Sequence, residues 1–257
     1  MISNLKITLS LLSVVLFQTL FIACTSGAAN PDKKGKTESG SVSDMYYEYS
    51  MVSHLEKRAM NGFMKIFLST DGHIRMEMQM DMGSTAKVKS SPMVVIGEPS
   101  DTTKSIIIDD DAKTYTIHKI DQKDIAAPID ITSTVTKVGE EKILGFNCIH
   151  ARIISIKKLG GFSKITDTLD FWKSNEVPVD ARFKRQLENF ESRTGNAMYS
   201  LAAVNQLKAM GCTGFVVRMD IHTQRSTMRQ ELVKAEHKSL DAGLFKIPAG
   251  YKQETDF

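Results

Sequence analysis

Cysteine is scarce in this chain, with Cys24, Cys148 and Cys212 the only three in 257 residues. None belongs to a CxxC pair, and a catalytic thiol needs an activating base. Six prolines and sixteen glycines are too few for a fibrous or mostly disordered chain. Charge of one sign is also missing. The formal net charge is +3, which argues against a dedicated nucleic-acid binder, whose Lys and Arg concentrate on one face. No HExxH, GxSxG, Walker loop or dinucleotide fingerprint occurs, and the six histidines are scattered. No internal repeat of fixed period is present. These absences predict a protein that is not an enzyme and carries no metal or cofactor. What remains, 42% hydrophobic and 25% charged, is ordinary for a globular protein of one large or two small domains.

The first residues read as an export signal. Lys6 supplies a short basic region, and residues 7–21 form a largely apolar run broken by Ser10, Ser13, Gln18 and Thr19. The run ends in Phe21-Ile22-Ala23-Cys24, a small residue before a cleavage point. Cysteine directly after it resembles the bacterial lipoprotein signal, in which that cysteine is lipidated and becomes the new N-terminus. Phe21 stands where leucine is usual. The competing reading is a membrane-spanning anchor, but the run is short of the roughly 20 residues a span needs and contains polar side chains. Residues 1–23 are therefore read as signal and Cys24 as the lipidated residue. Residues 24–43, with Val42 as their one large apolar side chain after the cysteine, are read as a flexible tether reaching roughly 25 Å. Thr25 after the cysteine, in place of aspartate, resembles outer-membrane sorting. The expected location is the periplasmic side of the outer membrane, with the membrane as a partner through the lipid.

Residues 44–257 are expected to be a single domain, and its centre is HIRMEMQMDM. Ile74, Met76, Met78, Met80 and Met82 alternate with Arg75, Glu77, Gln79 and Asp81. Strand side chains point to opposite faces in turn, so this segment has one apolar and one polar face. A helix would scatter the methionines. Thioether side chains are flexible and polarizable and suit a wall facing a variable ligand.

Further alternating runs are read at residues 45–53, 62–68, 92–96, 105–108 and 114–118. Asp71-Gly72 predicts a hairpin before the methionine run, and residues 109–113 predict another tight turn. Strands are expected at 131–138, then at 143–156 after a break at Gly139-Glu140-Glu141-Lys142, then at 164–172, 215–221 and 227–235. Short turns between sequential strands predict an antiparallel meander instead of βαβ units. The period changes at Pro178. Phe183, Leu187 and Phe190 lie at i, i+4 and i+7, the stripe of a helix. A second helix is expected at 196–210, packing through Met198, Leu201, Ala202 and Leu207, with Gly211 as its left-handed cap. This helical insertion near 178–211 is expected to cover the methionine face.

Several residues admit a chemical and a structural reading. The methionines could bind Cu(I), or line a core or cavity. Asp109-Asp110-Asp111 could hold a hard cation, but it lacks the EF-hand spacing and reads equally as a charged turn. Cys148 and Cys212 could pair as a disulfide in an oxidising compartment, or stay as two separate buried thiols. Glu140 and Glu141 are adjacent, and neighbouring residues of a strand point to opposite faces, so there they do not form a close acid–base pair.

Val138-Gly139-Glu140-Glu141-Lys142-Ile143-Leu144-Gly145-Phe146-Asn147-Cys148 resembles the central motif of the bacterial domain of unknown function 4412. Phe171-Trp172-Lys173-Ser174 and Leu244-Phe245-Lys246-Ile247-Pro248-Ala249-Gly250-Tyr251 are similar to its later landmarks. More remotely, that family resembles the periplasmic lipoprotein carriers and receptors built on an unclosed β-barrel. The resemblance implies a curved sheet around an apolar cavity with helices over the opening. The expected fold is thus mainly β (α+β), a large curved antiparallel sheet with a helix pair covering one side. The expected function is binding of a lipid or acyl group by Ile74, Met76, Met78, Met80, Met82, Phe183, Leu187 and Phe190. The alternative is a structural or interaction protein of the envelope whose core is closed by its own side chains.

Overall fold

The computed structural model describes residues 43–56, 58–81, 91–99, 101–119, 130–159, 163–179 and 201–254. Among the described residues there are twelve strands: β1 (Met45–Leu55), β2 (Arg58–Leu68), β3 (Ile74–Asp81), β4 (Met93–Glu98), β5 (Asp101–Asp109), β6 (Thr114–Lys119), β7 (Asp130–Ile143), β8 (Phe146–Leu159), β9 (Ser163–Ser174), β10 (Phe215–His222), β11 (Ser226–His237) and β12 (Lys252–Glu254). They form one sheet in the order β12-β6-β5-β4-β3-β2-β1-β11-β10-β9-β8-β7. Two meanders, β1 to β6 and β7 to β11, are joined where β1 pairs with β11. All pairings are antiparallel except β12 with β6. The sheet ends at β12 and β7 without closing, so the fold is an unclosed barrel.

Turn chemistry sets the register. Between β2 and β3, the Gly72 amide donates to the Ser69 carbonyl and the Ser69 amide to the His73 carbonyl. Gly72 sits at φ +95°, the left-handed position that this three-residue loop requires. Between β7 and β8, Leu144 and Gly145 take φ +52° and +87°, the two positive angles of a type I′ turn. The turn therefore falls at Leu144-Gly145, and Gly139-Glu140-Glu141-Lys142 is strand, which corrects the break expected there. Gly139 does mark an irregularity, because the register slips by one residue between Lys137 and Gly139. Similar bulges interrupt β1–β11 at Glu48/Tyr49 and β10–β9 at Val216/Arg218. Each adds local twist and bends its strand, which is how a sheet of this width curls.

The described helix, α1 (Leu201–Ala209), falls within the expected 196–210, of which residues 196–200 lie outside the described residues. Leu207 is buried as expected, but Ala202 is exposed, and Ala203 and Val204 are the buried residues beside it. Gly211 at φ +74° ends it: its amide donates to the Lys208 carbonyl, and the Cys212 amide to the Leu207 carbonyl. This is a Schellman cap. The helix packs against Val135, Ala151, Ile153, Leu169, Phe171 and Ile221, the β7–β10 half of the sheet. The expected cover was the methionine strand β3, in the other half. Phe183, Leu187 and Phe190 lie outside the described residues, as do Cys24 and Met82.

The C-terminal segment was not anticipated from the sequence. A short 3-10 helix (Ala242–Phe245), capped by Asp241, and β12 lie beside β3 to β6. Ile247 and Tyr251 pack on Val94, Ile96, Ile106 and Ile108, and Arg75 donates to the Leu244 carbonyl at 3.0 Å. With this cover on one face and Val95 in the core on the other, β4 is apolar at consecutive positions instead of alternating ones.

Candidate functional site

The register places the methionine strand within a wider apolar surface. Ile74, Met76 and Met78 sit opposite Leu68, Ile66 and Met64 of β2. Those in turn face Met45, Tyr47 and Tyr49 of β1. On the other side, Met76 faces Val95 and Met78 faces Met93. All of these but Met93 are buried, and Met76 keeps only 3% of its surface exposed. The alternation expected of this segment is therefore present from Ile74 to Met80, with Met80 half-buried.

The same face continues into the second half of the sheet. One row runs Met80, Gly62, Met51, Gln230, Met219, Phe171 and Ala151 across seven strands. The next runs Met60, Ser53, Met228, Ile221, Leu169, Ile153 and Val135. Met228 packs against both halves, so the methionine core and the core beneath α1 are continuous. Most of the methionines came from strands other than β3. The odd positions of β1, Met45, Tyr47, Tyr49 and Met51, carry a legible alternation that sequence reasoning did not follow to its end.

β10 pairs with β11 only from Arg218 onward, and upstream the two strands part. Tyr47 and Tyr49 reach into this region. Tyr47 stacks on Phe215 with centroids 4.6 Å apart and donates its hydroxyl to the Pro178 carbonyl at 2.8 Å. Tyr49 donates to the Val216 carbonyl at 3.0 Å. Burial, with Tyr47 adding to it, raises the Tyr49 phenol well above its ordinary pKa, so it stays neutral. Both polar tips are satisfied at the margin and their rings complete an uncharged surface.

Elsewhere, charged side chains form pairs across β8 to β11. Asp170, buried, lies 2.8 Å from His150 Nε2 and accepts from Arg152 Nε at 2.9 Å. Arg229 holds Asp220 through two hydrogen bonds of 2.8 and 2.6 Å. Glu141 accepts from the Trp172 indole at 2.8 Å, while Glu140 accepts from Lys137 at 2.8 Å. The two glutamates thus serve different partners, as strand alternation requires. Among the described residues, no group of three or more His, Cys, Asp or Glu side chains converges to hold a metal ion. The aspartate run forms a turn: Asp109 accepts from the Ala112 amide, Asp110 from Tyr251 and Asp111 from Ser91.

Cys148 and Cys212 are two buried thiols not joined by a disulfide, which corrects the disulfide reading. Cys148 and Ile149 are neighbours on β8 and point to opposite faces. Cys212 lies on the Ile149 side, its thiol 3.6 Å from the Ile149 carbonyl. Cys148 belongs to the core that holds Met76 and Met78, and its thiol donates to the Phe146 carbonyl at 3.5 Å.

No functionally curated protein matches the chain. Among solved structures, a DUF1329 family protein from Desulfovibrio piger is 10% identical, with 80% of this chain and 90% of that one covered at a TM-score of 0.34. LprF from Mycobacterium bovis is 10% identical over 81% and 90%, at 0.32. The Mycobacterium tuberculosis lipoprotein LppX is 8% identical over 76% and 88%, at 0.32. At such scores the likenesses carry no argument about the site. The sequence match is of another kind, because the model of the domain of unknown function DUF4412 covers residues 48–251, from β1 through the C-terminal segment. The chain belongs to the DUF4412 family.

Proposed function

We propose that the protein is a lipoprotein of the cell envelope, anchored through Cys24 at the periplasmic side of the outer membrane, that binds a lipid or acyl group and is not an enzyme. The observation that carries this reading is the concentration of thioether side chains on one face. Met51, Met64, Met76 and Met78 are buried there, with Met80, Met93, Met219 and Met228 half-buried around them. Leu, Ile and Val specify a fixed core better, whereas methionine accommodates a contact that changes shape. The unclosed sheet and the neutral tyrosine tips support the same reading. A second reading, a structural envelope protein with a closed core, draws on the full burial of Tyr47 and Val95 on that face.

Native mass spectrometry of the full chain released from detergent tests the choice. Lipid-binding predicts adducts of acyl-chain mass in addition to the covalent acyl mass on Cys24. In a paired measurement, Met78→Glu should weaken binding of a fluorescent acyl probe far more than it lowers the melting temperature. A closed core predicts no probe binding and a Met78→Glu protein that unfolds, because a buried unpaired charge is strongly destabilising.

A further inference from the structure

Gln230 occupies the centre of the methionine-rich face without a partner for its side-chain oxygen. It lies on β11 between Met51 of β1 and Met219 of β10, and is 5% exposed. Its Oε1 is buried and accepts no hydrogen bond from the described residues. A buried amide oxygen left without a donor opposes folding, so such groups are almost always paired. Its two register neighbours, Met51 and Met219, are thioethers and donate no hydrogen bond, and the Ser53 hydroxyl in the next row makes none to it. One strand further, Gly62 carries no side chain, and the Met80 sulfur fills the space, 2.6 Å from where a Cβ would stand. Met80, Met219 and Met228, in or beside this row, are only partly buried. The oxygen is thus flanked by groups that move readily and leave part of their surface open to solvent.

We propose that Gln230 is the polar anchor of the ligand site, accepting a hydrogen bond from the hydroxyl of an otherwise apolar ligand. This inference rests on the proposed binding of an acyl chain and adds the chemistry of its head: a hydrogen-bond donor held by Gln230 Oε1, with the chain along the methionines. A ligand of equal length without a donor leaves the oxygen unpaired and binds more weakly. Because the oxygen pairs with the ligand and not with the protein, removing it should cost the empty fold nothing. Replacing an unpaired buried polar group by an apolar one of the same shape is neutral or stabilising.

The test is a competition read by native mass spectrometry of the full chain, with hexadecan-1-ol and its methyl ether added in equal amounts. The two share a chain and an oxygen and differ in the donor. Wild-type protein should retain the alcohol over the ether by at least about tenfold. Gln230→Met should retain both equally, with an unfolding midpoint no lower than wild type. Equal retention by wild type overturns the role of Gln230 while leaving acyl-chain binding intact. A clear fall in the midpoint of Gln230→Met also overturns it, by showing that the amide serves the fold. Failure of wild type to retain either compound removes the binding reading and this inference with it.

Discussion

Trp172 stacks on His150 with ring centroids 3.9 Å apart and planes 14° from parallel, and the two residues face each other across β9 and β8. The Arg218 guanidinium lies 5.1 Å from the centre of the same indole and also holds Glu231 and Glu141. The stacked pair therefore links the apolar core, to which Trp172 belongs, with the charged pairs of β8 to β11. Asp170 fixes the arrangement, because it holds both His150 and Arg152 from a buried position.

Asp170→Asn should consequently destabilise the domain. Its charge-assisted bonds to two partners are lost, an effect of about 1.5–3 kcal/mol, reduced here because Arg152 is half exposed. Urea unfolding should show a lower midpoint with an unchanged slope. Glu140→Gln serves as the control. That carboxylate is exposed and, among the described residues, paired with Lys137, so its substitution should leave the midpoint where it was.

The turn before the methionine strand predicts a pH response. The Ser69 hydroxyl, and after it His73, hold the Asp71 carboxyl down at about 2, below its ordinary value of 3.8. A carboxyl whose pKa is depressed by folding adds stability that is fully present above the unfolded pKa. That stability is lost as pH falls through the folded one. The contribution should therefore fade between about pH 4 and pH 2. Asp71→Asn should flatten that part of the stability curve and leave the part above pH 5 parallel to wild type. Asp71 is largely exposed, so the effect is a small one. Carboxyl chemical shifts followed by NMR give the midpoint directly.

Strand positions were legible wherever one face is apolar and the other polar. The Ile74 to Met80 alternation, the Asp71-Gly72 hairpin and the Gly211 cap each follow from local rules, and the structure contains all three. The β7–β8 turn was misplaced because Gly139 and Gly145 are equally plausible breaks in the sequence. Only the pairing of Ile143 with Phe146 decides between them. The C-terminal cover was illegible for a different reason. Ile247 and Tyr251 reach β4 and β5 through contacts distant in the chain, with no periodicity to announce them. On the apolar face, the inward residues of β3 were legible, whereas those of its neighbours, such as Met64 and Tyr47, were not. Gln230 carries no signal at all, since a glutamine in a strand ordinarily marks the solvent side.

Glycines 62 and 139 look alike in the sequence, each flanked by strand residues, yet the structure separates them. A Cβ on Gly62 would stand 2.1 Å from the Gln79 carbonyl oxygen, which belongs to the paired backbone and cannot withdraw. A Cβ on Gly139 would meet nothing within 4 Å. Gly62→Ala should cost about 1–3 kcal/mol through forced backbone shifts. Gly139→Ala should be neutral or add up to about 1 kcal/mol by restricting the unfolded chain. Thermal unfolding of the two variants side by side provides the comparison. Equal effects would show that β2 and β3 are spaced differently from the geometry described.

The two thiols close the same argument about alternation. Cys148 and Cys212 belong to separate parts of the core, so an oxidising environment should not join them. Burial raises the Cys148 thiol above its ordinary pKa, which keeps it protonated and slow to react. Iodoacetamide added to the native protein without reductant should therefore leave both unmodified over a time in which a surface thiol reacts completely. The same reagent in denaturant, again without reductant, should add one carbamidomethyl group to each of the two residues. Peptide mapping distinguishes the sites. A linked peptide containing Cys148 and Cys212 would mean that the β8 backbone rotates enough to bring Cys148 to the side of α1. The pairing of Glu141 with Cys148 and of Ile149 with Lys173 would then have to break, and with them the register on which the methionine face depends.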